Sequence, residues 1–152
     1  MQKTIKNKIQ LKGKGLHTGY ITTVILCPAK INTGIKFRRI DLNGKPYIDA
    51  LIENVCDTNR KTVLKQNGAT IATVEHILAA IFVLSIDNLV IELTGPEIPI
   101  LDGSSKIFIE ELEKVGIITQ NEKKKQFEIP NYFKIENKND DSKIEFFPQE
   151  KL

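Results

Sequence analysis

The sequence predicts an α+β domain in which two helices pack on a sheet of mixed or antiparallel strands. Much of residues 1–120 consists of short stretches that alternate apolar and polar side chains, the period of two that strands show. Two other stretches repeat apolar side chains every three or four residues, as amphipathic helices do. Strands and helices in mixed order along the chain favour a sheet covered by helices.

The strands are expected in the first 93 residues, each next to residues that form turns. The Gly-rich segment GKGLHTG follows the first strand, and Pro28 closes the second. Asn67 and Gly68 form a dipeptide that favours a tight hairpin turn. The expected strands are 4–12, 20–27, 34–40, 47–52, 62–65 and 88–93.

The two helices are expected where the hydrophobic period changes. The first begins near Thr73, which has a side chain suited to an N-cap. The second covers 105–115, with a cap from Asp102 or Ser104 and a left-handed stop at Gly116. The apolar faces are expected to be Val74, Ile77, Leu78, Ile81 and Leu84 in the first helix, and Ile107, Phe108, Leu112 and Val115 in the second.

The last 32 residues differ from the rest. Residues 121–126, NEKKKQ, resemble a linker, and 127–135 and 143–147 resemble two strands around a polar turn. A two-stranded hairpin is marginally stable alone. The sequence therefore predicts a first domain at 1–120, a linker at 121–126, and the incomplete start of a second domain at 127–152.

Composition and charge favour one globular domain without a nucleic-acid interface. The chain has 152 residues, and its net charge is only +3 because 22 basic residues are balanced by 19 acidic ones. The lysines are spread along the chain and aromatic residues do not interleave with them, unlike in a nucleic-acid footprint. No stretch is long and apolar enough for a signal peptide core or a membrane span. A cytoplasmic location is expected.

The segment Thr73-Val74-Glu75-His76 is the main candidate for chemistry. At the start of a helix the macrodipole favours a carboxylate and disfavours a charged imidazole, so the histidine stays neutral, as a metal ligand must be. The segment is not the HExxH pattern, since Ala80 stands four residues after His76. From spacing alone, a surface or capping histidine remains the commoner interpretation.

Two further polar segments are weaker candidates. His17 lies in GLHTG, where flanking glycines permit an unusual turn that could expose it to a ligand, although a plain turn between strands is the commoner interpretation. Asp57-Thr58-Asn59-Arg60, with Thr62, offers one guanidinium for an anion or a sugar, or is a solvated loop. Residues 95–105 resemble a rigid Pro-rich loop.

Several motifs together resemble one enzyme family. GLHTG, NTGIKFRRIDL, DTNR, ATVEHILAA, IDNLVIEL and GPEIPILDGSSKIFIEELEKVGI follow in the order and spacing of UDP-3-O-acyl-N-acetylglucosamine deacetylases, which are zinc-dependent enzymes of lipid A biosynthesis. The match runs from about residue 3 to 118 and more loosely to 148. The chain is most similar to the Bacteroidetes forms, which are often fused to a 3-hydroxyacyl-carrier-protein dehydratase.

The resemblance implies a fold, a reaction and residue roles. The family fold has two similar domains, each a sheet with two helices, facing each other across the active site. The reaction is hydrolysis of the acetamide of the nucleotide sugar to a free amine and acetate. By the resemblance, Glu75 is the general base and His76 is one of three zinc ligands. His17 has a supporting role, and Thr58, Arg60 and Thr62 border the substrate site.

The chain also departs from the family pattern. The other two zinc ligands, a His and an Asp four apart on a helix of the second domain, have no counterpart, because His17 and His76 are the only histidines. The family's second-domain lysine and its general-acid histidine are absent too, and Lys61 stands where many members have a small residue or cysteine. The expectation is therefore a fragment without a complete site, to which a second domain in trans is a possible partner. The alternatives are a non-catalytic remnant that binds substrate or a partner, and a nucleic-acid binder.

Overall fold

The computed structural model describes residues 1–125, 129–140 and 142–148. Over these residues the α+β class and the two helices packed on a mixed sheet are confirmed. The elements are β1 (Lys3–Ile5), β2 (Ile9–Lys14), β3 (Ile21–Pro28), β4 (Ile35–Arg39), β5 (Tyr47–Asp49), a 3-10 turn (Ile52–Asn54), β6 (Val55–Asp57), β7 (Val63–Gln66), β8 (Ala69–Ala72), α1 (Glu75–Val83), β9 (Leu89–Leu93), α2 (Lys106–Val115), β10 (Ile117–Thr119), β11 (Phe133–Glu136) and β12 (Lys143–Phe146).

The main sheet has five strands in the order β2-β3-β9-β4-β5, with β4 and β9 parallel and the other neighbours antiparallel. Its period of two directs one face inward, because side chains alternate across a strand. Helices α1 and α2 pack together, and their apolar residues share one core with this face. The fully buried residues include Val24, Leu26, Leu89, Ile91 and Leu93 from strands, and Ile77, Ala80, Phe108 and Leu112 from helices.

Some predicted elements are divided or shortened. The single strand expected at 4–12 is wrong: β1 ends at Ile5, and the exposed residues 6–8 separate it from β2. Thr4 and Ile5 are consecutive and both buried, so β1 does not alternate buried and exposed side chains. It pairs with β10, which lies more than 100 residues later in the sequence. The strand expected at 47–52 ends at Asp49 because a 3-10 turn follows.

A second sheet of three strands, β6-β7-β8, was only partly predicted. The tight turn at Asn67 and Gly68 is confirmed, with φ angles of 51° and 75° as a type I′ turn requires. The nearly buried Arg39 joins the two sheets: its guanidinium donates to Thr70 O of β8 at 2.8 Å and to both carboxylate oxygens of Asp41. This sheet carries the segment 57–62 next to the start of α1.

The ends of α2 show how the cap residues are used. The N-cap residue of α2 is Ser105, whose side chain makes no capping hydrogen bond, so the predicted N-cap at Asp102 or Ser104 is wrong. Asp102 and Ser104 instead order the turn before the helix: Asp102 accepts from the Ser104 amide at 3.0 Å, and the Ser104 hydroxyl accepts from the Lys106 amide at 3.0 Å. Gly116 ends the helix at φ 81° and ψ 146°. This conformation is open to glycine and strained for other residues, but it is not the expected left-handed stop.

After β10 the chain contacts the residues next to β1 and β9 before the hairpin begins. The Gln2 amide donates to Glu122 O at 2.7 Å, and Lys124 Nζ lies 3.0 Å from Asp87 Oδ1. In the β11–β12 hairpin, Phe133 pairs with Phe146 and Ile135 with Ile144, and the apolar face they form is largely exposed. Residues 126–128, part of the expected linker and strand, lie outside the described residues. The domain division stays a prediction.

Candidate active site at the start of helix α1

Glu75 and His76 are consecutive residues in the first turn of α1, and both are partly exposed. This is the position that the sequence predicts for them, while their roles stay a prediction. The helix begins one residue later than expected, because Val74 rather than Thr73 is the N-cap residue. Thr73 is buried in a left-handed conformation with φ 61°, and its hydroxyl donates elsewhere.

The Glu75 carboxylate is held by the peptide group of Thr62. Oε2 of Glu75 accepts from the Thr62 amide at 3.0 Å, and the Thr62 carbonyl accepts from the Thr73 amide at 2.9 Å. Thr62, which directly precedes β7 of the second sheet, is therefore bonded to the start of α1 through both its amide and its carbonyl group. Within the described part of the chain, no hydrogen bond to the other carboxylate oxygen of Glu75 or to the His76 ring is found.

Thr58 and Arg60 lie on an exposed turn between β6 and β7. The turn is closed by Asp57, whose carboxylate accepts from the Asn59 amide at 2.9 Å, and Arg60 has a φ of 58°. Among the expected substrate residues, the structure therefore brings Thr62 into contact with Glu75. It places Thr58 and Arg60 on the same strand connection, nearer to solvent.

His17 is exposed at the tip of the β2–β3 hairpin. The hairpin closes through the Gly15 amide, which donates to Tyr20 O at 2.8 Å, and Gly19 adopts φ 70°. The amide of His17 donates to Oε1 of Glu97 at 2.9 Å. We call residues 15–19 the His17 loop.

Glu97 is the residue of this region that sequence reasoning missed. It is fully buried and accepts four hydrogen bonds, from the amides of His17 and Thr18 and from the hydroxyls of Thr18 and Thr73. Burial acts to raise the pKa of this carboxyl, but the hydrogen bonds outweigh burial and lower the pKa to about 2. The segment PEIPIL contains a signal of this burial, because one carboxylate interrupts an apolar run. The residues that donate to the carboxylate are far away in the sequence, so they could not be identified from it.

The donor set allows a test of the zinc site that the family resemblance implies. A partly exposed imidazole beside a carboxylate suits one ligand position of a zinc ion. Within the described residues, however, no group of three or more His, Cys, Asp or Glu side chains is placed to hold a metal. His76 therefore fits as a single ligand, and this part of the chain does not form a complete set.

Comparison with known proteins is specific. The family model described as UDP-3-O-acyl N-acetylglycosamine deacetylase (LpxC) matches residues 2–152. The bifunctional enzyme LpxC/FabZ of Bacteroides thetaiotaomicron is 46% identical over 149 residues, covering 98% of this chain and 32% of that protein. The UDP-3-O-acyl-N-acetylglucosamine deacetylase of Saccharophagus degradans is 42% identical over 149 residues, 98% of this chain and 48% of that protein. The deacetylase of Thermosynechococcus vestitus is 46% identical over 119 residues, 78% of this chain and 42% of that protein.

The chain thus spans about a third of the bifunctional relative and less than half of the other two relatives just described. In the part of the chain that the structure describes, neither helix is long and apolar enough to cross a membrane. The resemblance inferred from the ordered motifs is confirmed, since the match covers nearly every residue. This chain belongs to the UDP-3-O-acyl N-acetylglycosamine deacetylase family.

Proposed function

We propose that this chain supplies the catalytic carboxylate and one zinc ligand of a UDP-3-O-acyl-N-acetylglucosamine deacetylase. The observation that carries the proposal is the pairing of Glu75 and His76 in the first turn of α1, with one Glu75 oxygen held by the Thr62 amide at 3.0 Å. Membership of the family and the names of the curated relatives support the substrate and the reaction. A cytoplasmic location also remains a proposal.

In this reaction Glu75 acts as the general base. The oxygen bound to Thr62 fixes the plane of the carboxylate, and the other oxygen accepts the proton of the water that attacks the acetamide carbonyl. The carbon–nitrogen bond then breaks, and the products are acetate and the protonated amine. The amide dipoles at the N-terminus of α1 stabilise a negative charge in this place. Zinc, when bound, supplies a Lewis acid that lowers the pKa of water.

The residues on the β6–β7 connection are proposed to border the nucleotide sugar. Arg60 is exposed, and a planar guanidinium suits the diphosphate of a nucleotide. Thr62 joins this segment to Glu75, so a substrate held there lies next to the catalytic carboxylate. His17, at the tip of its loop, is proposed to have a supporting role.

The complete site would also use residues outside this chain. A catalytic zinc has three protein ligands, and within the described residues no group of three or more His, Cys, Asp or Glu side chains is placed to hold a metal. We therefore propose that the missing ligands and the general acid belong to the part of the family that this chain does not match. The same observation favours a second candidate, in which the chain is a non-catalytic remnant that binds substrate or a partner.

Reconstitution in trans tests the proposal. The chain is mixed with the portion of the Saccharophagus degradans relative that this chain does not match. We call this mixture the reconstituted deacetylase. We expect the chain alone to retain less than one equivalent of zinc after dialysis and to release no acetate above background. The mixture is expected to hold zinc and release acetate. Turnover by the chain alone with one equivalent of zinc would overturn the incomplete-site proposal, and an inactive mixture favours the non-catalytic alternative.

A further inference from the structure

We propose that Glu97 is a positioning residue for the deacetylase reaction, acting through Thr73 and the His17 loop. It holds this loop against the segment of chain that starts α1. The inference rests on the proposed function, because the residues that it positions are those assigned to the reaction. Glu97 itself is fully buried, so it does not meet a substrate.

Three of the four hydrogen bonds to Glu97 come from the His17 loop. The amide of His17 donates to Oε1 at 2.9 Å, while the amide and the hydroxyl of Thr18 donate to Oε2 at 2.7 and 2.6 Å. The loop lies directly on the carboxylate, since a Cβ added to Gly15 would fall 2.3 Å from Oε2. The backbone that carries His17 is therefore fixed by one side chain.

The fourth hydrogen bond reaches the start of α1. The Thr73 hydroxyl donates to Oε1 at 2.9 Å, the oxygen that His17 also uses at 2.9 Å. Because they share this acceptor, the amide nitrogen of His17 and the hydroxyl oxygen of Thr73 lie within twice 2.9 Å of each other. Since Glu75 and His76 follow Thr73 by two and three residues, one carboxylate oxygen ties His17 to the catalytic end of the helix.

Thr73 is held in a conformation that a β-branched residue avoids. Its φ of 61° is in the left-handed region, which costs free energy and persists where surrounding contacts fix it. Its amide also donates to Thr62 O, and the neighbouring Ala72 exchanges hydrogen bonds with the segment 96–98. The residues on both sides of Glu97, Pro96 and Ile98, are thus bonded to Ala72, which holds Glu97 next to Thr73. Backbone strain concentrates at functional sites, and here it directly precedes Glu75 and His76.

A carboxylate is the group that this arrangement requires. All four partners donate, and an ionised carboxyl group only accepts, whereas an amide presents an NH₂ group to donors on one side. Burying a carboxylate is costly unless it is hydrogen-bonded, and an apolar contact would hold a loop at lower cost. What Glu97 adds is direction, because each bond fixes the position of a particular donor.

Hydrogen exchange in the 152-residue chain tests the positioning directly. Glu97→Gln is expected to speed exchange of the His17 and Thr18 amides about tenfold, as loss of hydrogen bonds to a charged acceptor does. The matched control is Glu92→Gln, which alters a carboxylate paired with Arg38 and is expected to leave both amides unchanged. Thr73→Ser keeps the hydroxyl, so its amide exchange rates should resemble those of wild type. Thr73→Val removes the hydroxyl and should change the exchange rates of the Glu75 and His76 amides.

The reconstituted deacetylase provides the second readout. Glu97→Gln and Thr73→Val are expected to lower kcat about tenfold to hundredfold while KM stays the same, because reacting groups are misplaced. Thr73→Ser, which keeps the hydroxyl that Thr73→Val lacks, should have the kcat of wild type. Unchanged loop exchange in Glu97→Gln, or an equal loss of kcat in Thr73→Ser and Thr73→Val, would overturn the inference. An inactive wild-type mixture contradicts the proposed function instead, and the exchange data then decide the inference alone.

Discussion

Glu75→Gln is expected to lower the kcat of the reconstituted deacetylase by roughly 10²–10⁴-fold, the contribution of a positioned general base. Glutamine has nearly the same shape, and its amide oxygen can still accept from the Thr62 amide, so the start of α1 should keep its structure. The amide cannot take up the proton of the attacking water. Acetate release measured over a range of substrate concentrations gives kcat and KM for both proteins.

The matched control for this substitution is Glu113→Gln on the exposed face of α2. It makes the same chemical change far from the start of α1 in sequence, and kcat is expected to stay within about twofold of wild type, as for surface changes away from special features. If Glu75→Gln retained the rate of this control, the general-base assignment would be wrong. Far-UV circular dichroism of both variants excludes unfolding as the cause of a lost rate.

A large loss of stability in acid is expected from Glu97. Its pKa in the folded chain is about 2, against an ordinary value of 4.5. The folded pKa is depressed, so this stabilisation is complete above pH 4.5 and is lost as the pH falls toward 2. The shift corresponds to about 3 kcal/mol of unfolding free energy at 1.36 kcal/mol per pKa unit. The pKa of Asp41 is also lowered, chiefly by its hydrogen bond from Arg39, and adds in the same direction.

Urea unfolding at pH 6 and pH 2, in wild type and in Glu97→Gln, separates the two contributions. Glutamine does not titrate, while Asp41 and the other acids behave alike in both proteins. The stability advantage of wild type over the variant should therefore shrink by about 3 kcal/mol between the two pH values. An advantage that is the same at pH 6 and pH 2 would show that the carboxylate of Glu97 is not stabilised in the folded state.

Local periodicity accounts for the elements that the sequence predicts well. The strands at 20–27, 34–40 and 88–93 and both helices have clear apolar spacing, and the structure has them within one or two residues. Strands β6, β8 and β10 have only three or four residues, too few to show a period. The pairing of Lys3 with Thr119 joins distant parts of the chain, and no local pattern records it.

The candidate site was predictable only in part for the same reason. Glu75 and His76 adjoin a change of period, so their place in a first helical turn follows from neighbouring residues. Thr73 has the side chain of an N-cap, but its hydroxyl is engaged by Glu97, 24 residues away. Burial of a carboxylate beneath the His17 loop depends on three segments meeting in space, and the sequence alone does not show their meeting.

Zinc content of the reconstituted deacetylase, with and without the His76 imidazole, tests the central assignment most directly. The account predicts close to one equivalent of zinc per complex after dialysis for wild type, and a large loss of both zinc and acetate release for His76→Ala, since a catalytic site has only three protein ligands. His17→Ala is the matched control and should keep the zinc. A His76→Ala complex that retained one equivalent of zinc and wild-type acetate release would contradict the assignment of His76 as a ligand.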